Sequence, residues 1–189
     1  SIDCHGSTLI PGFNDAHCHV LATAASLLAM DCSPSAVSSI EDIKEKLQTR
    51  STQIAKDTWL RGTGYNDFYL REGRHPNRWD LDQVAPDHPV RLLHRSGHAM
   101  VLNSRALALA AIHGDTPDPT DGVIEREEGT GEPTGLLLEM NEYLDGVIPP
   151  LSKDEVKRGI ELFNERCLAL GITSLQDATP GNDLERWEL

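Results

Sequence analysis

Pro11-Gly12-Phe13-Asn14-Asp15-Ala16-His17-Cys18-His19 leads directly into an apolar, Ala- and Leu-rich stretch over residues 20–30. A Pro-Gly break, a strand over residues 13–19 and a helix after it make one strand-to-helix step. Side chains alternate along a strand, so His17 and His19 share one face and Cys18 takes the other. At the usual strand rise their Cα atoms lie about 6.6 Å apart. Two imidazoles so spaced can converge on one metal ion, and neutral imidazole suits zinc, manganese or iron. Asp15 shares the parity and is expected to buttress a ligand through a hydrogen bond. With 8 histidines in 189 residues a bare His-x-His pair says little by itself; its place in a strand-to-helix step gives it weight. Cys18 is expected as a packed thiol on the other face.

Outward from this stretch, strand and helix signals alternate. Ser38-Ser39 before Glu41 and Asp42 resembles a capping box. It opens a helix whose apolar face is Ile40, Ile43, Leu47 and Ile54. Residues 58–63 form a short strand candidate, and residues 64–77 a loop. Asn77 caps a short helix over 78–84. PVRLLH (89–94) reads as a buried strand, and Asn103 caps a helix of strong formers stopped by Gly114. Residues 122–126 and 134–138 look like a hairpin around a Gly-rich, acidic tip holding Glu125, Glu127, Glu128 and Glu132. Ser152 with Glu155 makes a second capping box, for a helix that runs to Leu170 and stops at Gly171; residues 172–175 are a β-branched strand. Alternation of this kind favours an α/β fold with parallel strands.

Composition excludes several classes. Thirty acidic against 17 basic residues give a formal charge of −13, which argues against nucleic acid or an anionic membrane as a partner. The longest mostly apolar stretch, residues 20–30, is far short of the roughly 20 residues that cross a bilayer. Cys4, Cys18, Cys32 and Cys167 have no CxxC spacing and read as reduced thiols of a cytoplasmic protein. Of the remaining histidines, His94 is expected in the core, and His5, His75, His88 and His113 in solvated turns.

LIPGFNDAHCHV resembles the first barrel strand of the amidohydrolase superfamily, in which both histidines bind the catalytic metal. RGTGYNDFYLREGRHPNRWDLDQVAPDHPVRLLHRSGHAMVLNSRALALAAI narrows the likeness to the amidohydrolase family 3 branch of metal-dependent hydrolases, and GEPTGLLLE and GITSLQDA continue it. The chain departs from the branch at Tyr65-Asn66, where Trp-Asp is usual, and at Ser96, where Asp is common.

The resemblance implies a partial TIM-type (β/α)8 barrel: its first three strand-helix units, near residues 13–19, 89–94 and 172–176, plus the inserted hairpin. Residues 1–12 would be the end of a small β-sandwich and a linker, and residues 13–189 the first part of the barrel domain. A whole barrel takes about 250 residues, so the chain reads as an N-terminal fragment. The implied activity is hydrolysis of a carbon–nitrogen bond other than a peptide bond, in an amide or cyclic amide. His17 and His19 would hold a divalent metal, zinc before manganese or iron, which would acidify water and polarise the carbonyl. The catalytic base, an Asp, would lie outside this chain. His98, after the 89–94 strand, would face the site at the C-terminal end of a barrel strand and contact a small-molecule substrate. Asp177, at the end of the last strand, is a weaker candidate to line the same site. Alone, the chain is expected to be inactive and to associate with itself through an open sheet edge. The alternatives are a non-catalytic, self-associating partial barrel, and an unrelated α/β binding module with an accidental His-x-His.

Overall fold

A computed structural model describes residues 3–179. In chain order the elements are β1 (Phe13–Cys18), α1 (Val20–Leu28), β2 (Met30–Asp31), α2 (Ile40–Ser51), β3 (Leu60–Tyr65), a 3-10 turn (Asp67–Tyr69) and α3 (Arg78–Asp82). Then come β4 (Val90–His94), β5 (Ala99–Leu102), α4 (Ser104–Leu109), β6 (Val123–Arg126), β7 (Pro133–Leu138), α5 (Lys153–Ala169) and β8 (Ile172–Asp177). They fall into two units. One combines the described residues up to Leu28 with those from Leu151 onward, and the other is Ala29–Pro150.

In the first unit β1 and β8 pair in parallel, from Phe13 opposite Ile172 to Cys18 opposite Asp177, with register shifts between Phe13 and Asn14 and between Asp15 and Cys18. Gly12 is required at the start of β1 because a Cβ there would run into the side chain of Thr173. Helix α5 begins in a capping box: Ser152 accepts from the Glu155 amide, and Glu155 accepts from the amide of Ser152. It ends at Gly171, whose φ of +75° is the left-handed conformation that glycine adopts without strain. α1 packs against α5, and the buried Gly159 makes the close approach possible. A Cβ on Gly159 would lie 2.8 Å from the carbonyl oxygen of Ala24.

The Ala29–Pro150 unit has a six-stranded sheet in the order β2-β3-β4-β5-β7-β6. β2, β3 and β4 run parallel, and β4–β5, β5–β7 and β7–β6 are antiparallel. The pleat sorts its side chains into two cores. Val90, Leu92, Ala99, Val101 and Leu136 join Ile40, Ile43 and Leu47 of α2. Met100, Leu102 and Leu137 join Ile124 with Ala106 and Leu107 of α4. Asn103, fully buried, ties this sheet to its helices. Its Oδ1 accepts from the amides of Val90 and Ala106, both at 3.0 Å, and its Nδ2 donates to the carbonyls of Ala85 and His88 at 3.3 and 2.9 Å.

The caps expected at Ser39, Asn77, Asn103 and Ser152 are all present, as is the hairpin, now β6–β7. The expectation of three barrel strands side by side is corrected. β1 and β8 are neighbours, but β4 belongs to the six-stranded sheet, flanked by β3 and β5. Residues 95–102, read as a connection from strand to helix, instead turn back as β5 and pair antiparallel with β4. No strand falls within residues 3–12, where a trace of β-sandwich was expected. α2 stops at Ser51, so Ile54 lies beyond it, and α4 ends near Leu109, short of Gly114.

Candidate functional site

The last residues of β1 and the one after it place His17 and His19 together. Their ring centroids are 5.3 Å apart and their planes are nearly perpendicular, and both side chains are exposed. The pleat therefore gathers the two imidazoles as the alternation argument requires. Asp15 accepts from the backbone amide of His17 at 3.1 Å, so it steadies the strand at His17 through the main chain. Past the end of β8, the Thr179 hydroxyl donates to Asp177 at 2.6 Å. Its single proton is thereby used, and it can only accept from His19 Nδ1 at 3.4 Å. Cys18, on the other face, donates to the carbonyl of Gln176 at 3.3 Å. Burial, with the carboxylates of Asp15 and Asp177 nearby, pushes its thiol pKa up. Among the described residues no three His, Cys, Asp or Glu side chains group closely enough to hold a metal ion. The described part of the site offers two nitrogen donors.

In the Ala29–Pro150 unit, His98 sits in the β4–β5 turn, exposed. Its Nδ1 lies 2.8 and 3.1 Å from the two carboxylate oxygens of Glu139, just after β7. The barrel-strand argument for His98 does not apply, because β4 is not in the sheet of β1. A second cluster surrounds Tyr65. Asp67 lies 3.3 Å from His94 Nε2 and 3.7 Å from His75 Nε2, and the Tyr65 hydroxyl is 3.0 Å from His75 Nδ1. His94 is only half-buried, and His75 is engaged with Tyr65 and Asp67 instead of free in a turn. His88 is buried and meets the Thr58 carbonyl at 3.0 Å, a correction to the solvated turn expected for it. Sequence reasoning missed Thr179 and Glu139. Nothing in the sequence singles out Thr179, whereas Glu139 closes the GEPTGLLLE stretch.

The sequence model of the amidohydrolase family matches residues 1–188. The chain belongs to the amidohydrolase family. Among amidohydrolase relatives, the N-substituted formamide deformylase of Arthrobacter pascens is 35% identical over 182 residues, covering 94% of this chain and 33% of that protein. Two uncharacterised metal-dependent hydrolases give solved structures of the same fold. That of Pyrococcus horikoshii has a TM-score of 0.59 at 27% identity, over 87% of this chain and 30% of its own. That of Pyrococcus furiosus has a TM-score of 0.57 at 28% identity. The chain thus spans about a third of the curated amidohydrolase relative it matches. Among the described residues no helix is long and apolar enough to cross a membrane.

Proposed function

We propose that the chain is the first part of a metal-dependent hydrolase that breaks a carbon–nitrogen bond outside peptides, in an amide or cyclic amide. The observation that carries this is the pair of imidazoles 5.3 Å apart at the end of a parallel strand. They fit a divalent cation: two imidazole nitrogens gathered at the end of one strand, both side chains open to solvent. Zinc suits them first, manganese or iron next. A cation held there would supply Lewis-acid chemistry to a scissile carbonyl and to water. His17 and His19 would hold it, and Asp15 fixes the backbone amide of His17. Catalytic zinc ordinarily keeps three protein ligands. The described residues supply two of them, and the remaining ligands, with the Asp that accepts the proton, are assigned to the rest of the longer protein. The relative named for an N-substituted formamide supports amide chemistry. A small-molecule substrate fits the charge of −13, and a reducing, cytoplasmic setting fits the thiols of Cys18, Cys32 and Cys167.

The test is metal content and turnover of the longer protein carrying this chain, with His17→Ala and His19→Ala. Each substitution is expected to remove most of the metal and most of the activity. Full occupancy with unchanged turnover overturns the assignment. The 189-residue chain by itself is expected to bind metal weakly and to leave N-acyl amino acids and cyclic amides intact. Turnover by the chain that disappears with His17→Ala would mean that it builds a whole site, alone or as a dimer.

A second reading has its own observation. Phe13, Leu168, Leu170 and Leu175 are exposed around a two-stranded parallel sheet, a type normally covered on both faces. The isolated chain would then be an inert partial barrel that self-associates. Sedimentation checks this: a monomer at high concentration removes the reading.

A further inference from the structure

We propose that Arg61 and Arg91, side by side on β3 and β4, form a binding site for the oxyanion group, phosphate or carboxylate, of a small molecule. The two are partners in the parallel register of these strands, so their side chains leave the same face of the sheet from Cα atoms about 4.8 Å apart. Both are half-buried. Their surroundings on that face are apolar: Leu102 stands opposite Arg91 on β5, and Trp59 and Leu93 pack against the core that holds Leu102. Among the described residues, the arginines in ion pairs are Arg74, Arg78, Arg105, Arg126 and Arg158. Arg50, Arg71, Arg95 and Arg166 have no carboxylate partner there, but they are exposed and water serves them. Arg61 and Arg91 have no carboxylate partner either, and they stand half out of water beside one another.

The donors are held but not used up. Arg61 Nη2 donates to the Pro149 carbonyl at 2.7 Å, which fixes one corner of its fork and leaves its other N–H groups unspent. Arg91 Nε is buried and has no hydrogen-bond partner. Burial pushes the Arg91 guanidinium pKa down, and the neighbouring charge of Arg61 adds to this. A guanidinium does not shed its proton in a protein, so the pair keeps both charges and carries the cost of an unmet buried donor. An oxyanion between the two forks removes both costs at once. It cancels the repulsion and supplies acceptors to planar donors that suit phosphate or carboxylate two N–H groups at a time. The chain's charge of −13 works against any loose gathering of anions, so two arginines without a carboxylate partner are a local preference set against that field. Both residues lie in the Ala29–Pro150 unit, and the site needs nothing from the strand pair that carries His17 and His19.

Calorimetric titration of the chain, and of the longer protein that carries it, with inorganic phosphate and with acetate at constant ionic strength is the test. Saturable binding of at least one is expected in both proteins, with a matching rise in Tm, and the tighter of the two tells a phosphate-bearing ligand from a carboxylate-bearing one. Arg61→Gln and Arg91→Gln should each weaken binding about tenfold, the loss of charge-assisted hydrogen bonds, while Arg95→Gln, at an exposed position, should bind as wild type does. Arg91→Met fills similar space without the charge. In the absence of anion it should melt no lower than wild type, because an unpaired charge has left a half-buried place, and the anion-dependent rise in Tm should be gone. A fall in Tm of Arg91→Met without anion would assign Arg91 to structure and overturn the proposal. So would the absence of saturable binding, or binding unchanged in Arg61→Gln and Arg91→Gln. Binding by the chain but not by the longer protein would mean that a carboxylate elsewhere in the longer protein fills the place, and that too overturns a free ligand.

Discussion

β5 is buried along its whole length, whereas β1, which carries the two histidines, has no fully buried residue. The difference extends to the units around them. In the Ala29–Pro150 unit the sheet is covered on both faces by two separate cores. In the other unit the buried apolar side chains, among the described residues, are Val20 and Ala24. A stable insertion and a sparsely buried strand pair therefore occur in one chain. The strand pair carries the better candidate for chemistry, and its exposed parallel strands are what an incomplete larger sheet would show. Buried apolar surface in this chain resides mainly in the Ala29–Pro150 unit, and the exposed His17 and His19 add little to it.

The sharpest way to break that contrast is Asn103→Ala. It strips four hydrogen bonds from one fully buried side chain and leaves the Val90 and Ala106 amides without their acceptor. Buried groups left unpaired, with loss of a helix cap, add up to a cost on the order of 3 kcal/mol or more. Hydrogen exchange of β4 and β5 amides measures it. Retention of wild-type protection there would mean that the two cores suffice without the Asn103 hub. Asn103→Asp is a second variant; it keeps the acceptor toward Val90 and Ala106 but sets a buried carboxylate oxygen against the carbonyls of Ala85 and His88, so its cost should at least match that of Asn103→Ala.

The sequence made the caps and the His-x-His parity legible because each depends on near neighbours. Ser39, Asn77, Asn103 and Ser152 cap amides within a few residues, and the alternation of His17 and His19 is a property of one strand. β5 was illegible for a physical reason. Ala99–Leu102 is a four-residue run buried on both faces, so it shows no alternation and merges with the apolar helix after Asn103. Missing it placed β4 in the wrong sheet and gave His98 a barrel position that it does not have. Glu139 and Thr179 were hidden because their partners lie 41 and 160 residues away.

A change of intermediate size sharpens the picture of the strand-pair unit. Gly159→Ala puts a methyl group 2.8 Å from the Ala24 carbonyl oxygen and 3.2 Å from its Cβ. The nearest atom is backbone, so α1 and α5 must separate. Ala would otherwise favour the helix by up to about 1 kcal/mol; the clash should outweigh this and leave a net loss of about 1–2 kcal/mol. Thermal melts followed by helical circular dichroism check the sign. Stabilisation by Gly159→Ala would show that α1 and α5 pack more loosely than these distances indicate.

The smallest effect is a pH dependence confined to the insertion. Burial pushes the His94 pKa below its ordinary value; Asp67 opposes this, and His75 and Arg95 add to it. The ring stands in a tight setting, with Nδ1 2.8 Å from the Ser96 hydroxyl and its centroid 5.2 Å from that of Tyr65. An unfolded chain therefore takes up a proton at this histidine more readily than the folded one does. Its contribution to stability is complete above the ordinary histidine pKa of about 6.5 and falls as the pH drops from there toward the lower folded value. His94→Gln removes the titrating ring and should flatten that part of the profile. Asp67→Asn removes the carboxylate that favours the charged ring, so the acid-side loss should extend to lower pH. Denaturant titrations at several pH values between about 7.5 and 4.5, followed by tryptophan fluorescence, read the slope. A slope unchanged in His94→Gln would assign the acid sensitivity to other groups, and a wild type that gains stability over this range would contradict the burial of His94.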